Sequence, residues 1–119
     1  MPDPLAPPAQ RGHLEIRPRA VDRVAVGAAG EVDGVVRGTA GRLSRHRLPS
    51  VRSRVDGGRV RLDVDVAVAW GRPLAVVAGS VRERVAQRVH ELTGLLVDAV
   101  DVTVERVVVP DERRAGRVV

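Results

Sequence analysis

Cysteine and lysine are both absent from the 119 residues, and Trp70 is the only aromatic. Without cysteine there is no disulfide framework, no zinc knuckle and no thiol nucleophile, which fits a reducing compartment. With a single ring, the core has to be built from valine, leucine and alanine, and a sheet surface that stacks bases on aromatic side chains is excluded. No apolar run approaches the length of a membrane-spanning helix. The N-terminal stretch MPDPLAPPAQR lacks a charged start followed by an apolar segment, so it does not read as a signal peptide. These absences lead us to expect a soluble, cytoplasmic chain that meets a membrane only through something else.

With lysine missing, all of the formal charge of +5 comes from arginine. An arginine-only, Val/Ala/Gly-rich composition is also what a GC-biased genome writes, and net charge speaks to solubility and non-specific binding rather than to fold. The charge is nevertheless uneven. Arg37, Arg42, Arg45, Arg47, Arg52 and Arg54 have no acidic residue among them, and His46 lies inside the run.

The length allows a single domain with a modest core. Residues 1–11 are proline-rich and read as a disordered tail, and 110–119 as a loose C-terminal tail, leaving one domain over 12–109. GHLEIR, 12–17, alternates as a short strand. Pro18 suits the first turn of a helix, and Val21, Val24, Ala25, Ala28, Ala29 and Val32 follow helical spacing up to a stop at Gly34. Residues 35–37 read as a brief extended piece and 38–50 as a loop. Asp56-Gly57-Gly58 is a hairpin turn signal. A Gly57-Gly58 loop sets Val55 against Val60, Ser53 against Leu62 and Val51 against Val64, with Arg54 opposite Arg61 and Arg52 opposite Asp63. One face is then almost entirely apolar and the other charged, which makes the register self-consistent. Leu74, Val77, Ala78, Val81, Val85, Val89 and Leu92 form the stripe of a second helix, ended by Gly94, and Leu95 to Val109 forms the last strand, stopped by Pro110.

The order β-α-(β)-β-β-α-β predicts an α+β two-layer sandwich, of the split β-α-β kind, with two helices on one face of a mostly antiparallel sheet. The other face carries His13 and Glu15, Arg52 and Arg54, Arg61, Asp63 and Asp65, then Asp101, Thr103 and Glu105. Asp63, Asp65 and Asp101 are hard oxygen donors of the type that Mg²⁺ or Ca²⁺ takes. No loop pattern dictates such a site, however, so a solvated face or protein contact is expected, with no metal and no cofactor. His13-x-Glu15 is too few ligands for zinc. None of Ser44, Ser50, Ser53 and Ser80 lies in a Gly-x-Ser-x-Gly elbow, His90 reads as a helix-flank residue, and no phosphate-cradling glycine loop occurs. The residues thus suggest neither an enzyme nor a small-molecule substrate. The alternative is nucleic-acid binding through the basic loop 37–54, where Gly38-Thr39-Ala40-Gly41 matches a Gly-x-x-Gly loop but leads toward a strand rather than joining two helices.

GHLEIRPRAVDRVAVGAAGEVDGV, ending in Glu31-Val32-Asp33-Gly34-Val35, resembles the opening of the alkaline-shock-protein family of bacterial general-stress proteins. Trp70-Gly71, Pro73, the 74–92 helix, Thr93-Gly94-Leu95 and Val100-Asp101-Val102-Thr103-Val104 resemble its second half in order and spacing, so the likeness covers roughly 12–108. Where that family usually has Tyr before the glycine this chain has Trp70, and its 38–50 stretch is richer in arginine. The resemblance implies a non-enzymatic protein of the envelope stress response. It implies an adaptor or scaffold held at the inner face of the cell membrane by a membrane-anchored partner, without inserting itself, and able to self-associate. It transfers no catalytic residue. The partner contact expected is Asp63, Asp65, Asp101 and Glu105 on the sheet, or the arginine loop.

Overall fold

A computed structural model describes residues 17–39 and 47–109. Residues 12–16 of the strand expected at 12–17, both tails, and His13, Glu15, Arg42, Arg45 and His46 lie outside the described residues. Helix α1 spans Pro18–Gly30, with the proline at its first turn, where its missing N–H costs nothing. It buries Val21, Ala25, Ala28 and Ala29. The helix stops at Gly30, before the expected Gly34, because the chain tightens: Glu31 N–H donates to Ala28 O and Val32 N–H to Ala29 O. Gly34 has another task. Its φ is +98°, its carbonyl accepts the Ala69 N–H at 2.9 Å, and a Cβ there would lie 3.0 Å from Val77 Cγ2. It lets the chain leave α1 and enter the sheet in close contact with the second helix.

Strand β1 (Val35–Val36) follows, then β2 (Gly38–Thr39) and β3 (Arg47–Leu48), which pair with each other. The stretch read as a loop therefore contains a short two-stranded ribbon and the start of β4 (Ser50–Asp56). β4 and β5 (Arg59–Ala69) form the expected hairpin in the expected register, Val55 against Val60 and Arg54 against Arg61. Gly57 and Gly58 both have positive φ, 58° and 84°, as the tight turn requires. Helix α2 (Leu74–Thr93) buries Val77, Val81, Val85 and Val89, while Leu74 and Leu92 at the ends of its stripe are exposed. Gly94, at φ 75°, caps it by donating to His90 O, and β6 (Leu96–Val108) completes the fold.

β5 is the central strand. β4 and β1 lie antiparallel along one of its edges, and β6 lies parallel along the other. The β5-α2-β6 unit is thus direct rather than split. Both helices pack on each other and on one face, α1 over β4 and α2 over β6. Between the layers lie Val60, Leu62, Val64, Val66 and Val68 from β5, joined by the helix valines, Leu95 and Val100. Two register shifts interrupt the β5–β6 ladder, so that Asp98 and Glu105 are extra residues on β6. Such bulges re-aim the residues that follow them.

Candidate interaction face

Alternation along β5 that buries Leu62, Val64 and Val66 sends Arg61, Asp63 and Asp65 to the opposite face. The registers place their neighbours. Arg61 sits between Arg54 and Ala99, Asp63 between Arg52 and Asp101, and Asp65 between Ser50 and Thr103. The result is a basic corner of Arg52, Arg54 and Arg61 next to an acidic group of Asp63, Asp65 and Asp101. A hollow of about 260 Å³ is lined chiefly by Arg52, Arg54, Arg61, Asp63 and Asp101. Glu105 is exposed at the second bulge, and Arg106 takes the place opposite Ala67, so the row Asp101, Thr103, Glu105 is not one regular stripe.

Among the described residues no ion pair within 4.0 Å forms between these arginines and acids. The ion pairs that do form lie elsewhere. Arg59 Nε donates to Asp98 Oδ1 at 3.1 Å by the hairpin turn, using the first bulge residue. On the helix side, Arg72 grips Asp33 with two bonds of 2.7 and 2.6 Å. Arg84 and Arg88 share Glu31 at 3.0 Å each. The guanidinium hydrogen bond and charge of Arg72 hold the Asp33 carboxyl below its ordinary value of 3.8. These pairs rim a cleft of about 550 Å³ between the end of α1 and the start of α2, floored by Val32, Pro73, Val76 and Val77. Asp63, Asp65 and Asp101 are not gathered as metal ligands: among the described residues no group of three or more His, Asp or Glu is placed to hold an ion.

The face is not open along its whole length. Leu48 and Ala67 are each 3% exposed and form a second small cluster, with Val36 and Val108 packed against it. The ribbon carrying Leu48 covers the end of the sheet where β5 turns from aspartates to alanines. Sequence reasoning placed 38–50 in a loop and missed this cover. The signal was Ala67 and Ala69, small apolar residues where the alternation calls for charge. The described arginines of the run are also divided. Arg37 and Arg47 line a separate groove with Val26, Leu48 and Pro49, while Arg52 and Arg54 belong to the sheet face.

The junction at 93–95 is tied by side chains. Thr93 Oγ1 donates to Val89 O and accepts the Leu95 N–H, and His90 Nδ1 hydrogen-bonds Leu95 O at 2.9 Å. His90 holds the helix-to-strand turn and is not placed as a base. Among the described residues no helix is long and apolar enough to cross a membrane.

Comparison with known proteins places this arrangement. An uncharacterized protein of Bacillus subtilis (strain 168), YloU, is 27% identical, over 81% of this chain and 88% of that protein. Two zinc-form structures of MamM CTD variants match with a TM-score of 0.50, at 20% and 22% identity, covering 74% of this chain and 84% of theirs, a likeness of fold. A family model for cell envelope-related function matches residues 6–109, nearly the whole chain, and the protein belongs to that family, the alkaline shock protein 23 family.

Proposed function

We propose that this chain is a non-enzymatic adaptor of the cell envelope, which a membrane-anchored protein recruits to the inner face of the membrane. The contact is the open part of the sheet face. The observation that carries this reading is that Arg52, Arg54 and Arg61, with Asp63, Asp65 and Asp101, share one surface yet form no ion pairs with one another. An internal salt-bridge network would neutralise such charges within the chain. Not paired with one another, they suit a complementary surface, where they would set orientation and association rate. Membership in a family with cell envelope-related function points to the compartment boundary as the place of work. The division of the described arginines between two surfaces, and the acids beside Arg52 and Arg61, weigh against a nucleic-acid surface, which wants a continuous basic track.

The test is cross-linking and capture from native membranes with the full chain, alongside an Asp63→Lys, Asp101→Lys double variant checked for fold by circular dichroism. A membrane protein recovered by the wild type and lost with the variant is the expected outcome. Recovery of no membrane protein would end the adaptor reading, and equal recovery by both would move the contact off this face.

A further inference from the structure

Among the described residues six large apolar side chains are exposed, and four of them stand at one end of the molecule. Trp70, Leu74 and Val76 belong to the stretch that leads from β5 into α2, and Val107 lies near the end of β6. The chain is tied together there, since the Trp70 N–H donates to Val108 O at 2.8 Å. Trp70 and Gly71 occupy the tip of a turn that Arg72 closes by donating its N–H to Ala69 O at 3.3 Å, with Gly71 at a φ of 89°. Trp70 is 66% exposed and Val76 63%. Single apolar residues on a surface need no explanation, but an indole grouped with a leucine and two valines marks a contact.

The charges around this group are mainly basic. Arg72 stands in the turn and Arg106 beside Val107. Arg47 is carried by the ribbon whose Leu48, with Ala67, packs against Val108. Of the carboxylates at this end, Asp33 is gripped by Arg72, Glu31 is shared by Arg84 and Arg88, and Glu105 stands next to Arg106 in the chain. Helix α2 has no acid in its first turn, and its first one, Glu83, is about 13 Å further along the axis. The other two exposed leucines, Leu92 and Leu96, lie at the opposite end, where Glu91 and the Arg59–Asp98 pair adjoin them in the chain and no ring is present.

We infer that the Trp70 end rests on the headgroup layer of an anionic lipid bilayer. The ring enters the interface with Leu74, Val76 and Val107, while Arg47, Arg72 and Arg106 lie near lipid phosphates. An indole is apolar in its body and carries one N–H donor, so it settles at the boundary between hydrocarbon and water. Guanidinium groups pair with phosphate, and an anionic surface draws apolar groups that are ringed by arginine. A protein pocket would cover the ring alone; a turn tip with apolar groups on both flanks and arginines around it suits an extended surface with negative charge throughout. The contact is shallow, since among the described residues no helix is long and apolar enough to cross the bilayer. It goes beyond the adaptor reading: the sheet face meets a protein and the turn end meets lipid. A membrane-anchored partner would strengthen this weak contact by holding the chain at a high local concentration.

Trp70, as the only aromatic residue, reports on the contact without a label. Its emission is followed, together with flotation, as the full chain is titrated with vesicles of phosphatidylglycerol and phosphatidylcholine, or of phosphatidylcholine alone. The wild type should shift to shorter wavelength and float with the anionic vesicles, and do so less with the neutral ones or in high salt. Leu74→Glu with Val76→Glu should bind at least about tenfold more weakly. Both positions are exposed, and acids suit the first turn of a helix, so the fold should hold, as circular dichroism checks. Arg47→Gln with Arg106→Gln should lose the preference for anionic lipid, and Leu92→Glu, at the far end, should bind as the wild type does. No shift and no flotation at the highest anionic lipid concentration, or equal binding by the Leu74/Val76 variant, would overturn the inference. So would a loss with Leu92→Glu as large as that with the Leu74/Val76 variant. If that variant loses a membrane protein in the capture experiment while the wild type ignores vesicles, the patch belongs to a protein and the inference fails alone. Vesicle binding by a chain that captures no membrane protein overturns the adaptor reading alone.

Discussion

The two sides of β5 are written in the same eleven residues and have opposite fates. Val60, Leu62, Val64, Val66 and Val68 are completely or almost completely buried under the helices. Arg61 and Asp63, their immediate neighbours, are exposed, and Asp65 is only partly covered. On the helix side each side chain touches several others, so its identity is set by volume and by the absence of polar atoms. On the other side, among the described residues, no ion pair within the face dictates which charge goes where. The described contacts give the grouping of basic and acidic residues there no part in folding, and the comparison teaches where to look for function.

Substitutions can break this contrast or sharpen it. The largest effect falls on the buried side. Leu62→Ala should lower stability by about 2–5 kcal/mol, whereas Asp63→Ala, one residue away, should stay within about 0.5 kcal/mol, both read from urea unfolding. Equal losses at the two positions would mean that the charged side is structural after all. Next, Gly94→Val forces a β-branched residue into the left-handed conformation that closes α2, and should cost at least about 1–2 kcal/mol. Its effect on capture of the membrane-anchored partner at equal folded concentration should be nil, since the junction lies off the proposed contact.

A smaller effect, of opposite sign, belongs to the open face. Arg54→Glu replaces a like-charge opposition with an attractive pair and should raise stability by about 0.2–1 kcal/mol, while weakening capture of the membrane-anchored partner. A gain in stability joined to a loss of binding is the signature of a residue kept for contact rather than for folding. The smallest effect is in the acid limb. Asp33 has its folded-state value depressed by Arg72, so its contribution is complete above the ordinary carboxylate value and is lost as the pH falls through the lowered one. Wild type and Arg72→Ala should therefore unfold alike near pH 2, and the wild type should lead slightly at pH 6. Because both groups stand in solvent, the difference is small.

Much of the fold is legible residue by residue. The hairpin register followed from Asp56-Gly57-Gly58 and strict alternation, because a slip of one residue would turn every valine outward. The α2 stripe and its Gly94 stop followed from 3.6-residue spacing. Other features were not legible. Gly34 looked like a helix stop, but its reason is the approach of Val77, which is 43 residues away in the chain (77 − 34). The ribbon at β2 and β3 has no period, since two-residue strands are held by their partners rather than by their own pattern. The second bulge on β6 left a trace in the consecutive polar residues Glu105-Arg106, but that it is a bulge rather than a strand end depends on β5. As for the candidate face, its members were legible from alternation, and their grouping was not.

The sequence by itself determined most of the core, including the β5 and α2 valines, where the hairpin turns and which of its residues pair, and the family to which the chain belongs. Those properties rest on local periodicity and turn chemistry, which act over a few residues. Only the tertiary structure decided that β6 runs parallel beside β5, that Leu48 covers Ala67, that Arg37 and Arg47 part from Arg52 and Arg54, and that the acids of β5 and β6 form one group beside a basic corner. Each of these joins segments far apart in the chain. Such contacts are fixed by which apolar surfaces bury each other when the layers close, a choice no single segment can encode.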